Sequence, residues 1–167
     1  NANQRAVQLD PQDALSHYNL GKVLQELSRL EEAEASYRQA IALRPTFSQA
    51  QYNLGNILNK LGRLEEAEAN YRQAIAMKPG FTDAHNNLAT MLKEMGRLEE
   101  AEANYRQVIV TKPDFADAHN NLGTTLKEVG KLEEAEASFR QAIVLNPGFA
   151  DAHNNLGVTL KEMGKIE

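Results

Sequence analysis

The chain has no cysteine among its 167 residues. Disulfides, thiolate nucleophiles and Cys-ligated zinc or iron–sulfur centres are therefore excluded. Tryptophan is also absent and aromatics make up only 6%, so no large aromatic core can form. Positive charge is scarce, with 18 Lys and Arg against 23 Asp and Glu and a net charge of −5. A nucleic-acid binder normally carries a basic stripe, which this balance does not support. No apolar run approaches the roughly 20 residues needed to span a bilayer. The opening Asn1-Ala2-Asn3-Gln4-Arg5 has no signal-peptide pattern, and no Asn-x-Ser/Thr sequon follows. Gly-rich phosphate loops, His-Glu-x-x-His and nucleophile elbows are missing as well. These absences point to a water-soluble, intracellular (cytoplasmic) chain that needs no cofactor, binds neither nucleic acid nor membrane, and is not itself an enzyme.

Proline is scarce too, but its placement is regular. The five prolines are Pro11, Pro45, Pro79, Pro113 and Pro147, each 34 residues after the last. Leu20, Leu54, Leu88, Leu122 and Leu156 keep the same beat, as do Ala33, Ala67, Ala101 and Ala135. Residues 82–115 and 116–149 are identical at 23 of 34 positions. A fixed period of this length marks a repeat array. The reading is one array over 1–167. Residues 1–13 are the tail of a repeat, 14–47, 48–81, 82–115 and 116–149 are whole repeats, and 150–167 are the first half of another.

Each repeat reads as two helices. Ala84, Leu88, Met91, Leu92 and Met95 recur at helical spacing, and Gly96 follows in the helix-ending position. Leu98, Ala101, Tyr105, Val108 and Ile109 form a second apolar stripe that Pro113 closes. Glu99, Glu100 and Glu102 crowd the start of that second helix, where the helix dipole favours acids. Thr46-Phe47-Ser48-Gln49 reads as a capping box ahead of the first helix, and Asp114 with Asp117 as a weaker one. Ser28 stands where other repeats have the helix-ending glycine, so that turn is expected to differ. No alternating β pattern occurs. Gly21, Gly55, Gly123 and Gly157 in first helices, with the alanine row in second helices, permit close helix approach. Tyr37, Tyr71, Tyr105 and Phe139 then fill the space between repeats, because one helix pair cannot bury its apolar faces alone.

This pattern resembles the tetratricopeptide repeat. Its signature in the first whole repeat is His17, Leu20-Gly21, Leu24, Ala33, Tyr37, Ala40 and Pro45. The resemblance implies an all-α, right-handed superhelical solenoid of antiparallel helix pairs. The first helix of each pair (helix A, the second being helix B) would line a concave groove. The signature's usual Trp is His17, Gln51, His85, His119 and His153 here. Ala89 replaces the close-approach glycine and Val108 an alanine. Extra methyls at tight contacts cost about 1–3 kcal/mol unless neighbours shift, so a displaced helix pair is expected there.

Asn19, Asn53, Asn87, Asn121 and Asn155 share one slot of helix A. Asparagine is a mediocre helix former, so its fivefold presence asks for a reason. It either ties helices together or forms a ladder along the groove. A carboxamide donates and accepts, so it can grip a peptide group at both N–H and C=O. Helices about 8–10 Å apart and an extended strand rising about 3.4 Å per residue put one asparagine near every third ligand residue. Asp83, Asp117 and Asp151 lie four residues earlier on the same helix face. They either cap or compensate the helix N-terminus, or select Lys, Arg, Ser or Thr on the ligand. The flanking slots hold Tyr18 and Tyr52, then Asn86, Asn120 and Asn154. One turn on come Lys22, Asn56, Thr90, Thr124 and Val158. The groove thus has an aromatic half and an amide-and-acid half.

The paired Asn and Asp rows, with Pro-x-Phe ahead of helix A, are similar to the repeat domain of O-linked N-acetylglucosamine transferases. That likeness implies backbone ligands at the five asparagines and side-chain readers at Asp83, Asp117 and Asp151. The carboxylate clamp of chaperone-binding repeats is matched only at Lys22 and Asn53. The histidines cannot share a metal ion across helices about 8–10 Å apart and read as core residues. The function these features point to is a protein-interaction module that binds an extended peptide. A scaffold that spaces or oligomerises an attached domain, or the substrate-selecting arm of a glycosyltransferase, are the rivals. Self-association through incompletely covered terminal repeats is expected.

Overall fold

The computed structural model describes residues 2–166. Among these it contains ten α-helices and no strand. They are α1 (Ala2–Leu9), α2 (Ala14–Glu26), α3 (Leu30–Leu43), α4 (Ser48–Lys60) and α5 (Leu64–Met77), then α6 (Thr82–Glu94), α7 (Leu98–Thr111), α8 (Ala116–Glu128), α9 (Leu132–Leu145) and α10 (Ala150–Glu162). The residues form two compact units, and the division falls after Ala84, inside α6. In the first unit α1 packs on α2, α2 on α3, α3 on α4 and α4 on α5. In the second, α7 packs on α8, α8 on α9 and α9 on α10, while α10 also touches α8. Each unit is therefore a stack of alternating A helices (even numbers) and B helices (odd numbers).

The turn inside each pair is set by a left-handed residue. Gly62, Gly96, Gly130 and Gly164 have φ of 75°, 74°, 80° and 67°, and the next backbone N–H reaches back into the ending helix, as in Arg63 N–H to Leu58 O at 2.9 Å. This matches the expected helix-ending role. Ser28 adopts φ 58°, and Arg29 N–H reaches Leu24 O at 2.9 Å. The turn at Ser28 is thus the same as the others, contrary to expectation. The surrounding helix ends impose the left-handed conformation on an L-residue that disfavours it.

The expected capping boxes do not form. The N-cap residues of α4 and α8 are Phe47 and Phe115, and neither helix has a side-chain cap hydrogen bond. The Pro-x-Phe turn carries out this job instead. Phe47 N–H donates to Arg44 O at 3.0 Å, and Phe47 O accepts from Ala50 and Gln51. The preceding base covers the ring: the Arg44 guanidinium lies 4.9 Å from Phe47, and the Lys78 and Lys112 amines lie 4.8 Å from Phe81 and Phe115, close enough for a cation–π attraction. A side-chain cap does occur on α2, where the Asp13 carboxylate accepts from Leu15 N–H at 3.1 Å, Ser16 N–H at 2.8 Å and Ser16 Oγ at 2.6 Å. The Ser16 contacts, hydroxyl first and then backbone, hold the Asp13 carboxyl below its ordinary range.

The core follows the small-against-large pattern. A Cβ built on Gly21 would lie 2.7 Å from the Tyr37 ring, on Gly55 2.8 Å from Tyr71, and on Gly123 2.6 Å from Phe139. Each glycine leaves the room that an aromatic ring occupies against the helix backbone. Tyr37, Tyr71, Tyr105 and Phe139 are all essentially fully buried, and each such side chain contributes about 1.5–3 kcal/mol through burial. Ala89 occupies the glycine slot at 0% exposure, and Tyr105 stays buried with its hydroxyl 3.0 Å from Thr90 Oγ1.

The glutamates do more than suit a dipole. Glu34 accepts from Arg63 Nη1 at 2.8 Å in the next repeat, Glu102 from Lys131 Nζ at 3.0 Å, and Glu136 from Lys165 Nζ at 2.6 Å. These three are the last acids of three of the four Glu-Glu-Ala-Glu runs, and each clips its repeat to the following one. Glu102 is nearly buried, at 4% side-chain exposure, and Arg106 pairs with it from the same helix. A buried carboxylate is tolerated only when paired in this way.

Candidate functional site

In the first unit the A-helix face carries an open pocket of about 280 Å³ lined by Tyr18, Lys22, Gln25, Glu26, Tyr37, Gln49 and Asn53. Residues 18, 22, 25 and 26 share one face of α2, and 49 and 53 lie one turn apart on α4. Tyr37 reaches the pocket from α3. Three of the residues expected from sequence (Tyr18, Lys22 and Asn53) therefore converge. The ring of Tyr18 packs 4.8 Å from Phe47 and 5.9 Å from Tyr37, and the Lys22 amine sits 6.0 Å from it.

Asn53 is the most enclosed rung of the ladder, at 8% exposure. Its Nδ2 donates to the hydroxyls of Tyr18 at 3.3 Å and Tyr37 at 3.4 Å. Tyr37 in turn donates to Gln25 Oε1 at 3.0 Å. Burial pushes the Tyr37 phenol far above the ordinary tyrosine range, the Tyr18 hydroxyl adding to the effect and the Asn53 hydrogen bond opposing it. The pocket is thus a neutral hydrogen-bonding surface with one acid and one base at its mouth. Asn19 is half-buried. Tyr52 and Asn56 are used internally: Tyr52 packs 5.0 Å from Phe81 beside the buried Ala74, Phe81 and Ala84, and Asn56 Oδ1 accepts from the Tyr71 hydroxyl at 2.8 Å.

In the second unit the same face is built from amides. Asn87, Asn121 and Asn155 are half-buried. Asn155 Nδ2 donates to Asn120 Oδ1 at 3.1 Å, and Asn86 Nδ2 lies 3.5 Å from Asn87 Oδ1. Asn120 is itself buried at 8%, which leaves Asn121 as the accessible amide of that helix. Asp117 and Asp151 are exposed first-turn residues of α8 and α10, and neither helix has a side-chain cap. Of the two structural roles open to them, capping is absent and only the favourable dipole remains. Asp83, in the first turn of α6, is also exposed.

Three of the histidines hold turns. Nε2 of His17, His119 and His153 donates to the carbonyl of Pro11, Pro113 and Pro147 at 3.0, 2.9 and 2.8 Å. His85 Nδ1 donates to Asn104 Oδ1 at 2.8 Å. His85 and His119 are buried, but His153 is exposed, so core filling is not their common role. Clamping the proline turn ahead of helix A is what His17, His119 and His153 share. No group of three or more metal-ligating side chains occurs among the described residues. Among those residues no helix is long and apolar enough to cross a membrane.

Family models agree with this architecture along nearly the whole chain. Tetratricopeptide repeat models match residues 2–46 and 18–81 and 70–103, and a TPR repeat model matches 89–130 and 125–164. The chain belongs to the tetratricopeptide repeat family. Among solved structures it is similar to YrrB, described as a TPR protein with an unusual peptide-binding site, at 26% identity and TM-score 0.89, covering 100% of this chain and 86% of that one. MamA is similar at 25% identity and TM-score 0.83, over 87% and 85% of the two chains. A tetratricopeptide repeat protein from Parabacteroides merdae ATCC 43184 shares the fold at 21% identity and TM-score 0.84, over 90% and 60%. No protein of curated function matches the sequence. The tetratricopeptide fold is that of a protein-interaction module.

Proposed function

We propose that the A-helix faces bind an extended peptide by its main chain, with the asparagine row as the grip. One observation carries the reading: Asn121 presents a half-buried carboxamide at the ladder slot, beside amides that already pair with one another across repeats. A donor-and-acceptor group of this kind is suited to a peptide unit of any sequence. Asn19, Asn87 and Asn155 extend the row within their own units. Asn53 takes part through the pocket it shares with Tyr18 and Tyr37, whose hydroxyls exchange their bond with Asn53 for one with the ligand.

Selectivity comes from the flanks. In the first unit Tyr18, Lys22 and Gln49 surround a neutral pocket. In the second, Asp117 and Asp151 favour Lys, Arg, Ser or Thr on the ligand. Asp83 is assigned the same reading role. The peptide-binding site ascribed to YrrB supports placing peptide recognition on an array of this kind.

The test is a panel of unrelated peptides of about twelve residues arrayed on a surface and probed with labelled protein. Changing Asn87 and Asn121 to Ala should lower retention of many members together, by about five- to thirtyfold, the worth of one or two net hydrogen bonds. Loss confined to peptides of one composition would contradict a backbone grip.

A further inference from the structure

We propose that the first unit carries a second binding site, between α3 and α5 and floored by α4, that accepts a carboxamide side chain (Asn or Gln) from a protein partner. Gln51 and Leu54 line this cleft from α4, with Ile41 and Arg38 from α3 and Asn70 and Gln73 from α5, around a volume of about 370 Å³. Gln51 lies about 200° around α4 from Gln49 and Asn53, so the cleft is separate from the A-helix pocket.

The decisive feature is Gln51. It is 5% exposed, and its Oε1 has no hydrogen-bond partner. Buried polar atoms left without a partner are rare and call for an explanation. At the equivalent slot of other repeats, His17, His119 and His153 each satisfy themselves on a proline carbonyl. Gln51 makes no such bond with Pro45. Its side chain lines the cleft with the Oε1 acceptor unused.

The surroundings select the ligand class. Arg38 is neutralised by Glu34 at 2.9 Å and Glu66 at 3.0 Å, so a charged side chain would enter without a counter-ion. A purely aliphatic one would fit against Ile41 and Leu54 but leave Gln51 unsatisfied. A carboxamide donates to Gln51 Oε1 and accepts an amide N–H from Gln51 or Gln73. The second unit holds an internal control. Arg106, Ile109, His119 and Leu122 line a corresponding cleft of about 400 Å³, where His119 is already bonded to Pro113, so that cleft lacks the hook.

The experiment titrates the isotope-labelled full chain with N-acetylglutamine methylamide and follows side-chain and backbone amides by NMR. The expected result is shifts at the Gln51 side-chain NH2 and at Leu54, with no matching change at His119 and Leu122. Binding should be about fivefold tighter than for N-acetylglutamate methylamide or N-acetylnorleucine methylamide, the factor one net hydrogen bond supplies. Gln51→His, a residue already accepted in this slot by neighbouring repeats, should weaken binding by the same factor while spectra of the second unit stay unchanged. Equal binding of the norleucine or glutamate compound, no shift at Gln51, or unaltered affinity in Gln51→His would overturn the proposal.

Discussion

Two glycines in the same slot of helix A should respond to alanine in opposite directions. A Cβ on Gly123 would sit 2.6, 2.8 and 2.9 Å from three atoms of the Phe139 ring. Ordinary carbon contacts begin near 3.5 Å, so the ring must retreat by about 0.9 Å. Phe139 is fully buried, and forcing a methyl into such a site costs about 1–3 kcal/mol. Glycine-to-alanine in a helix interior contributes about 1 kcal/mol in the other direction. The net for Gly123→Ala is therefore about 0–2 kcal/mol of destabilisation. At Gly157 nothing lies within 4 Å of the added atom, so only the helix term acts and Gly157→Ala should stabilise by about 1 kcal/mol. The helix term cancels between the two variants, and their difference of about 1–3 kcal/mol isolates the clash. Urea unfolding followed by far-UV circular dichroism measures it. Repeat arrays can unfold in stages, so hydrogen exchange of α8 and α10 amides should accompany the midpoints. Trimming the ring with Phe139→Leu should recover part of the loss in the Gly123→Ala background, a coupling that a double-mutant cycle reads directly. Equal stabilisation by both alanines would refute the claim that these glycines exist to seat aromatic rings.

Three further outcomes follow from the same geometry. Ser28→Gly should raise stability by about 0.5–1 kcal/mol, since relief of the left-handed strain outweighs the added freedom of the unfolded chain; a lower melting temperature would contradict it. Lys131→Met keeps the methylene stem but leaves the buried Glu102 carboxylate with Arg106 as its one remaining partner. It should destabilise by about 1–2 kcal/mol in chemical denaturation, whereas Lys131→Arg should cost little. Burial, the largest cause at both sites, raises the Tyr37 and Tyr105 phenols above their ordinary range. Their folded-state values exceed the unfolded ones, so the stability they confer is complete below about pH 10 and is lost as pH climbs beyond it. Ultraviolet titration should find Tyr37 and Tyr105 ionising late, and Tyr37→Phe should remove one late-titrating group.

The fold was legible because its signals are periodic. Proline spacing, the Gly-against-aromatic register and the left-handed glycines each recur every 34 residues, so one repeat predicts the next. The misreadings arose where one residue type serves two purposes. Ser28 looked like a broken turn, yet the flanking helices force it into the glycine conformation. Thr46 and Asp114 looked like caps, but the Pro-x-Phe turn and its cation–π cover had already ordered the helix start. Glu34, Glu102 and Glu136 read locally as dipole compensation, because the partner of each lies 29 residues ahead and local spacing cannot reveal it. At the A-helix face, the slots of Asn53, Tyr18 and Lys22 could be inferred from helical spacing. That Tyr37 reaches up between them could not, since Tyr37 first presents itself as a core residue. Gln51 was visible only as a departure from the signature, and its unused acceptor needs coordinates to be seen.

Side-chain amide NMR of the protein bound to a captured peptide of about twelve residues shows whether the ladder asparagines hold another chain by its backbone. The Nδ2 signals of Asn121 and Asn155 should shift and gain protection from exchange, alike for ligands of unrelated sequence. Ladder signals that stay in place while ligand-induced shifts fall on other faces would contradict it.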